Sequence, residues 1–273
     1  MPHRTTRLTE ENDKEIGKLH LAGVRIANLA KQFNVFPSSI RSALKFQNII
    51  PINYKFRAKK DAFNDFLNEE NCYWLGFIYA DGSTSKKTGL SIGLKISDQK
   101  HLQKLHNFLE LKNKIFISGS KANGVFYEKA ILRCSDRILV EKLEAYGIVA
   151  GRPNPILAIK DIPNEMFHHF FRGLFDGDGC AHKLPRLTFL CQKELLDILR
   201  LELIKKVCVS EIPNPYRVKG IWRITYDGFR QTEKIKNYLY KDATIFMERK
   251  KDIINSWNSH TKTLFRKKII PMF

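Results

Sequence analysis

Apolar residues recur at two different periods along this chain, and the changes of period mark its elements. Near the N-terminus the helical period rules. Thr9, followed by Glu10, Glu11 and Asp13, sets up a helix start, because a hydroxyl can take an orphan backbone N–H and acids favour the positive helix end. The predicted helix covers residues 9–20 and Gly23 breaks it. A second helix, over residues 24–33, puts Ile26, Leu29, Ala30 and Phe33 on one face. A turn at residues 34–36 leads to a third over 37–45, opened by Pro37, whose missing N–H costs nothing at a first helical position. Ile40 and Leu44 face inward there, which leaves Ser38, Ser39, Arg41, Ser42 and Lys45 outward. Over residues 47–60 the period fades, and Pro51, Asn53 and a basic cluster at 55–60 read as a linker.

Farther on, the period of two appears. Leu90, Ile92, Leu94 and Ile96 alternate with Ser91, Gly93, Lys95 and Ser97, which predicts a half-buried strand with the first set inward. A helix over 98–109, strands at 114–117 and 126–134 and a helix through 139–143 follow. The same order returns loosely, with strands at 186–190, 216–218 and 221–226 and helices at 194–205, 229–238 and 246–257. With the helix ahead of each set, both halves read α-β-β-α-β-β-α in outline.

Those two leading helices contain an internal repeat. Residues 74–82, WLGFIYADG, align without gaps on residues 171–179, FRGLFDGDG. Gly76 matches Gly173, Asp81 matches Asp178, and Gly82 matches Gly179, at an offset of 97 residues. Asn68, Glu69 and Glu70 lead into the first copy and Pro163, Asn164 and Glu165 into the second, as helix starts do. Gly82 and Gly179 sit where a left-handed residue ends a helix. Small residues four apart, Gly76 with Ala80 and Gly173 with Gly177, lay a bare stripe on one face, so that two such helices can meet backbone to backbone. Interior glycine costs a helix about 1 kcal/mol against alanine, and close pairing supplies the compensation. The aspartates then fall in the last turn, where the helix end is already negative. Two converging carboxylates at the wrong helix end make chemical sense around a hard divalent cation such as Mg²⁺.

Charge narrows the class of partner. The 273 residues hold 47 Lys+Arg against 28 Asp+Glu, a formal net charge of +19, and such an excess implies a polyanion, nucleic acid above all. No apolar run approaches a membrane span and no signal-peptide pattern opens the sequence, so the expected setting is intracellular, without membrane association. Five scattered cysteines, none spaced as C-x-x-C, fit reduced thiols in a reducing compartment. Cys180 and His182 lie close together, but two ligands do not close a zinc site.

Residues 30–40, AKQFNVFPSSI, resemble a helix-turn-helix of the pattern A-x-x-F-x-V-x-x-S-x-I, whose later helix enters the major groove. Asn34 replaces the usual turn glycine, and Phe36 stands where a capping Ser or Thr is commoner. A net of +8 over residues 1–60 favours DNA contact there. The paired nine-residue segments resemble the two motifs of single-chain LAGLIDADG homing endonucleases, over residues 62–257, with Tyr79 in place of the first motif Asp in copy one. That resemblance implies an α+β fold: duplicated α-β-β-α-β-β-α halves forming a pseudo-twofold saddle, preceded by a small all-α helix-turn-helix domain. The implied division is 1–50 helix-turn-helix, 51–61 basic linker, 62–160 and 161–257 the two halves, and 258–273 a basic tail with Lys262, Arg266, Lys267 and Lys268.

The implied activity is site-specific double-strand DNA cleavage by hydrolysis with Mg²⁺, Mn²⁺ substituting. Asp81 and Asp178, with the carbonyls of Ala80 and Gly177, would hold the metal. Lys95, Arg152 and Lys250 are the basic candidates beside it. Lys86, Lys87, Lys95, Lys129, Arg133, Lys183, Arg186, Arg217, Lys219 and Arg223 are candidates for the DNA-contacting sheet faces, with Ser38, Ser39, Arg41, Ser42 and Lys45 in the N-terminal domain. Diverged halves imply a monomer on a long asymmetric duplex site, and the family's role is intron, intein or free-standing gene mobility. Two rivals share the fold: an RNA-binding intron maturase, disfavoured because a recognition helix does not enter A-form RNA, and a non-cleaving DNA-binding regulator, disfavoured by retention of both acids.

Overall fold

Thr9 starts the first helix as its hydroxyl predicts. In the computed structural model, its Oγ1 accepts the Asn12 amide at 3.2 Å while Asn12 Oδ1 accepts the Thr9 amide at 3.2 Å, a reciprocal cap made with Asn. The structure describes residues 8–22, 24–49, 51, 57–85, 88–122, 125–149, 151, 153–207 and 214–257. Helix α1 spans Glu10–Leu21, α2 Ile26–Gln32 and α3 Pro37–Phe46. Asn34 takes a left-handed φ of 53° between α2 and α3, as the substituted turn requires, and Phe36 caps α3 without a side-chain bond. Ile16, Leu29, Ala30, Val35, Ile40, Ala43 and Leu44 close a core of their own. Phe33, expected inward, is only half-buried, and Val35 from the turn fills that place.

The rest combines helices with two antiparallel sheets. It runs α4 (Glu69–Asp81), β1 (Gly82–Ser85), β2 (Gly89–Lys95), α5 (Gln99–Phe108), β3 (Phe116–Ala122), β4 (Val125–Cys134), α6 (Arg137–Ala145) and α7 (Pro155–Ile159). Then come α8 (Phe167–Asp178), β5 (Cys180–Ala181), β6 (Arg186–Cys191), α9 (Lys193–Glu202), β7 (Tyr216–Val218), β8 (Ile221–Asp227), α10 (Phe229–Tyr240) and α11 (Glu248–Asn255). The sheets share one strand order, β1-β2-β4-β3 and β5-β6-β8-β7. Leu90, Ile92, Ala130 and Leu132 point inward from the first, and Leu187, Phe189, Ile224 and Tyr226 from the second. All belong to one cluster with the residues of α4 and α8, each buried large side chain contributing roughly 1.5–3 kcal/mol.

Several expectations shift. Ile96 is exposed because β2 stops at Lys95 and Ile96–Asp98 turn as a 3₁₀ helix. Strand β3 begins at Phe116 rather than at 114, and α7, capped by Asn154 ahead of Pro155, was not visible as a periodic run. A π-helical turn at Leu203–Val207 takes the place of the last turn expected of α9. The end of the segment read as linker is not free: Ala58 and Ala62 are buried, Asp136 accepts the Ala58 amide at 2.9 Å, and Lys142 donates to the Lys60 and Ala62 carbonyls. Lys86, Lys87, Arg152, Gly23 and the basic tail lie outside the described residues. Among the described residues, no helix is long and apolar enough to cross a membrane.

Candidate metal centre and sheet faces

Helix α4 has no polar stripe; Asn71 to Tyr79 are buried in succession. What it packs against is α8, and the contact is reciprocal. A Cβ on Gly76 would fall on the Phe170 carbonyl oxygen, and one on Gly173 would fall on the Tyr73 carbonyl oxygen. Each glycine thus meets the residue three before its counterpart. One turn on, a Cβ on Gly177 would collide with that of Ala80. The bare stripe therefore brings the two backbones together, and it also sets their ends side by side.

The stop signal works differently from the expected one. Gly82 has φ −83° and Gly179 φ −71°, so neither is left-handed. Glycine is required because the chain folds back on its own helix: a Cβ would strike the carbonyl oxygen of Ile78 at Gly82, and the carbonyl oxygen and ring of Phe175 at Gly179. The chain passes directly from helix to strand there, and the last helical residues, Asp81 and Asp178, stand partly buried at the junction. Burial pushes the Asp178 carboxyl up to about 6, with the charge of Asp81 adding to the push and Lys250 opposing it. Asp81 is raised too, first by burial, against Lys250 and with help from Asp98. These are two carboxylates that resist being charged together.

Lys250 explains how the arrangement is tolerated. Only 4% exposed, its ammonium donates to the carbonyls of Phe175 at 2.7 Å, Gly177 at 2.9 Å and Gly179 at 2.6 Å. All three protons thus go to the end of α8, where a cation offsets the helix dipole. Burial lowers this ammonium to about 8. Lys250, a basic candidate beside the metal in the sequence, has all three protons committed to these carbonyls. Lys250→Met is expected to lower unfolding stability by about 2 kcal/mol, through carbonyls left unpaired. A denaturant midpoint equal to wild type would overturn that.

Sequence reasoning missed the layer beneath. Asp176, fully buried, accepts Tyr240 Oη at 2.7 Å, Tyr73 Oη at 2.8 Å and the Met247 amide at 2.8 Å. Burial raises its carboxyl, against Lys250 and those hydrogen bonds. The Tyr73 hydroxyl in turn meets His101 Nε2 at 2.9 Å. Since Tyr73 gives its one proton to Asp176, His101 is the donor in that pair. Arg172, also fully buried, joins the carboxylate of Glu69 and donates to the Ile245 and Leu239 carbonyls at 2.9 and 2.8 Å. The available signal was an acid and an arginine among the aromatic residues of α8, since such groups are buried only when paired.

The sheet-face candidates separate by register. Lys95 and Lys129 are directly opposed on the outer face of the first sheet, both exposed, and Arg133 lies opposite Ser91 on that face. On the second sheet Arg223 is outward beside Tyr216, whereas Arg186 is ion-paired with Asp227. Arg217 pairs with Trp222, so alternation puts it on the opposite face from Arg223, and it is exposed there. Lys183 is exposed in the loop before β6, and Lys219 holds a left-handed φ of 47° in the β7–β8 turn. On α3, Ser38, Arg41, Ser42 and Lys45 are exposed and Ser39 half-buried.

The carboxylates and helix-end carbonyls form an oxygen-only donor set, which fits a hard divalent cation. Among the described residues no cluster of three or more His, Cys, Asp or Glu exists, so the rest of such an ion's shell would come from carbonyls, water or substrate oxygens. The Gly177 carbonyl, already accepting from Lys250, retains one lone pair.

No family model and no curated protein matches this sequence. Among solved structures, the chain is similar to full-length DUF199/WhiA from Thermatoga maritima, with 16% identity, 76% of this chain and 69% of that one covered, and a TM-score of 0.46. It is similar to the meganuclease I-SmaMI bound to uncleaveable DNA, with 13% identity, coverage of 74% and 97%, and a TM-score of 0.45. The homing endonuclease I-DmoI in complex with DNA and Mn matches at 21% identity, coverage of 62% and 95%, and a TM-score of 0.42.

Proposed function

We propose that this chain is a divalent-metal-dependent, site-specific double-strand DNA endonuclease, built from two halves related by duplication and joined to an N-terminal helix-turn-helix. The observation that carries the reading is the pair Asp81 and Asp178, set side by side at helix ends by glycine packing and raised by burial. Nothing in folding alone rewards two desolvated carboxylates at negative helix termini. Basic outer faces on both sheets and a net charge of +19 match a duplex partner.

In this reading Asp81 and Asp178 hold Mg²⁺, or Mn²⁺ in its place, with the Ala80 and Gly177 carbonyls contributing. The bound ion would supply water activation and stabilise negative charge on the phosphate. The protein's own part is placement. Lys250 fixes the end of α8 so that Asp178 keeps its position, Lys95 and Lys129 flank a phosphate path, and α3 adds affinity through Arg41 and Lys45. Because the two halves differ in sequence, the target is asymmetric and the chain acts as a monomer, in an intracellular setting, in the mobility of an intron, intein or free-standing gene.

The test is cutting of plasmid libraries carrying randomised inserts, read by sequencing of the linear product, in Mg²⁺ and in EDTA. Metal-dependent ends at one recurrent long site are expected. Tight duplex binding with no cutting in Mg²⁺ or Mn²⁺ would replace this reading with a non-cleaving regulator. A pH profile adds a second check: metal must displace the proton of Asp178, so at limiting metal the rate should climb about tenfold per unit below about pH 6 and flatten above it. A rate flat from pH 5 to 8 would remove Asp178 from the metal.

A further inference from the structure

The outer sheet faces hold their cations in three distinct ways, and one of them implies base reading. Arg186 is neutralised by Asp227. Lys95 and Lys129 face each other as like charges, an arrangement that repels until an anion lies between them. Arg133 and Arg223 are different: each lies over an aromatic ring and, among the described residues, has no acid as partner. The Arg133 guanidinium carbon is 4.8 Å from the centroid of Phe116, and that of Arg223 is 5.0 Å from the centroid of Tyr216. Each pair joins the two strands farthest from the aspartates in its sheet, β3 with β4 and β7 with β8.

We infer that Arg133 and Arg223 read guanine, one in each half of the target; this rests on the nuclease reading above. A guanidinium stacked on a ring keeps its plane and its charge while its edge stays open, which suits a planar bidentate acceptor. The major-groove edge of guanine offers one in O6 and N7. Arg223 is oriented further. Its Nε donates to Tyr216 Oη at 2.8 Å, which leaves the two terminal nitrogens as the free fork. Behind it, Thr225 Oγ1 and Thr188 Oγ1 lie 3.2 Å apart, a polar ladder across the same face. Arginine also contacts phosphates, but such contacts carry no base preference, so the two roles separate in binding measurements.

The experiment selects bound duplexes from a randomised pool with the full chain in EDTA, where nothing is cut. Affinities are then measured for the selected site and for single-base variants of it. The wild type should select a guanine at one fixed position in each half. Arg223→Ala should erase the preference at one of these, a loss of about ten- to a hundredfold in discrimination, and Arg133→Ala should do so at the other. Tyr216→Phe keeps the ring and removes the hydroxyl, so it should weaken discrimination at the Arg223 position alone. Equal loss on every sequence, with a shallower salt dependence, would make both arginines phosphate contacts and overturn the inference while leaving the nuclease reading intact. Failure of the wild type to select any duplex would overturn both.

Discussion

Asp178→Asn is expected to abolish double-strand cutting, lowering the rate by about a thousandfold or more, while duplex binding in EDTA stays near that of wild type. The amide keeps the volume and one acceptor oxygen but loses the charge that would hold a divalent cation, an interaction worth several kcal/mol in the transition state. A second readout needs no activity. Asp178 in the fold is raised from its ordinary 3.8 to about 6, by burial and then by Asp81. A raised acid keeps in the native state a proton that the unfolded chain releases, so stability falls as pH rises from below 4 through about 6, then levels off. The full loss is on the order of 3 kcal/mol for a shift of this size. In EDTA at pH 7.5 the asparagine variant should therefore melt above wild type, and below pH 4 the two should coincide. Mg²⁺ should raise the melting temperature of wild type and leave the variant unmoved. A variant that still cuts, or that melts below wild type at pH 7.5, would show that Asp178 is not a desolvated metal carboxylate.

Gly173→Ala is the largest stability effect expected from a single methyl group. The added carbon would land on the Tyr73 carbonyl oxygen and close to the Phe77 amide nitrogen, both backbone atoms of α4. Side chains can rotate away from a new atom; two packed backbones cannot. The helices must separate, which costs about 3 kcal/mol or more and also pulls Tyr73 from Asp176. For a chain of this size that is a fall in melting temperature of roughly 10 °C. Gly93→Ala serves as the control, because a Cβ there meets only Ile131 Cγ1 at an ordinary 3.8 Å. Similar melting of the two variants would mean that α4 and α8 are not held in backbone contact.

The glycine stripe and the paired aspartates were legible in the sequence because they are a property of spacing: residues four apart share a helix face whatever surrounds them. The strand face of Leu90, Ile92 and Leu94 was legible for the same reason. What spacing could not reveal depends on partners far away in the chain. Asp176 aligns with Tyr79 of the first copy, so the repeat did not mark it, and its meaning lies in Tyr240 and Met247, brought to it from another part of the chain. Lys250 was legible as a basic residue near the aspartates, but the binding of its ammonium to the α8 carbonyls was not. The face of Arg217 was not legible, because three residues of strand give too short a run to fix which side alternation assigns it. Gly82 and Gly179 were correctly marked as helix ends, yet the reason was steric closeness to Ile78 and Phe175 rather than handedness.

The partners of α8 also impose an order on biosynthesis. Met247 and Lys250, which complete the hydrogen bonding of Asp176 and of the helix end, belong to a segment translated long after α8 itself. While that segment is still inside the ribosome, Asp176 lacks one of its donors and the α8 carbonyls lack their cation. The glycine contact of α4 with α8 needs neither Met247 nor Lys250, so it is the buried hydrogen bonding around the end of α8 that waits for them. The last supports of the paired carboxylates are thus put in place only after the segment of Met247 and Lys250 has been made.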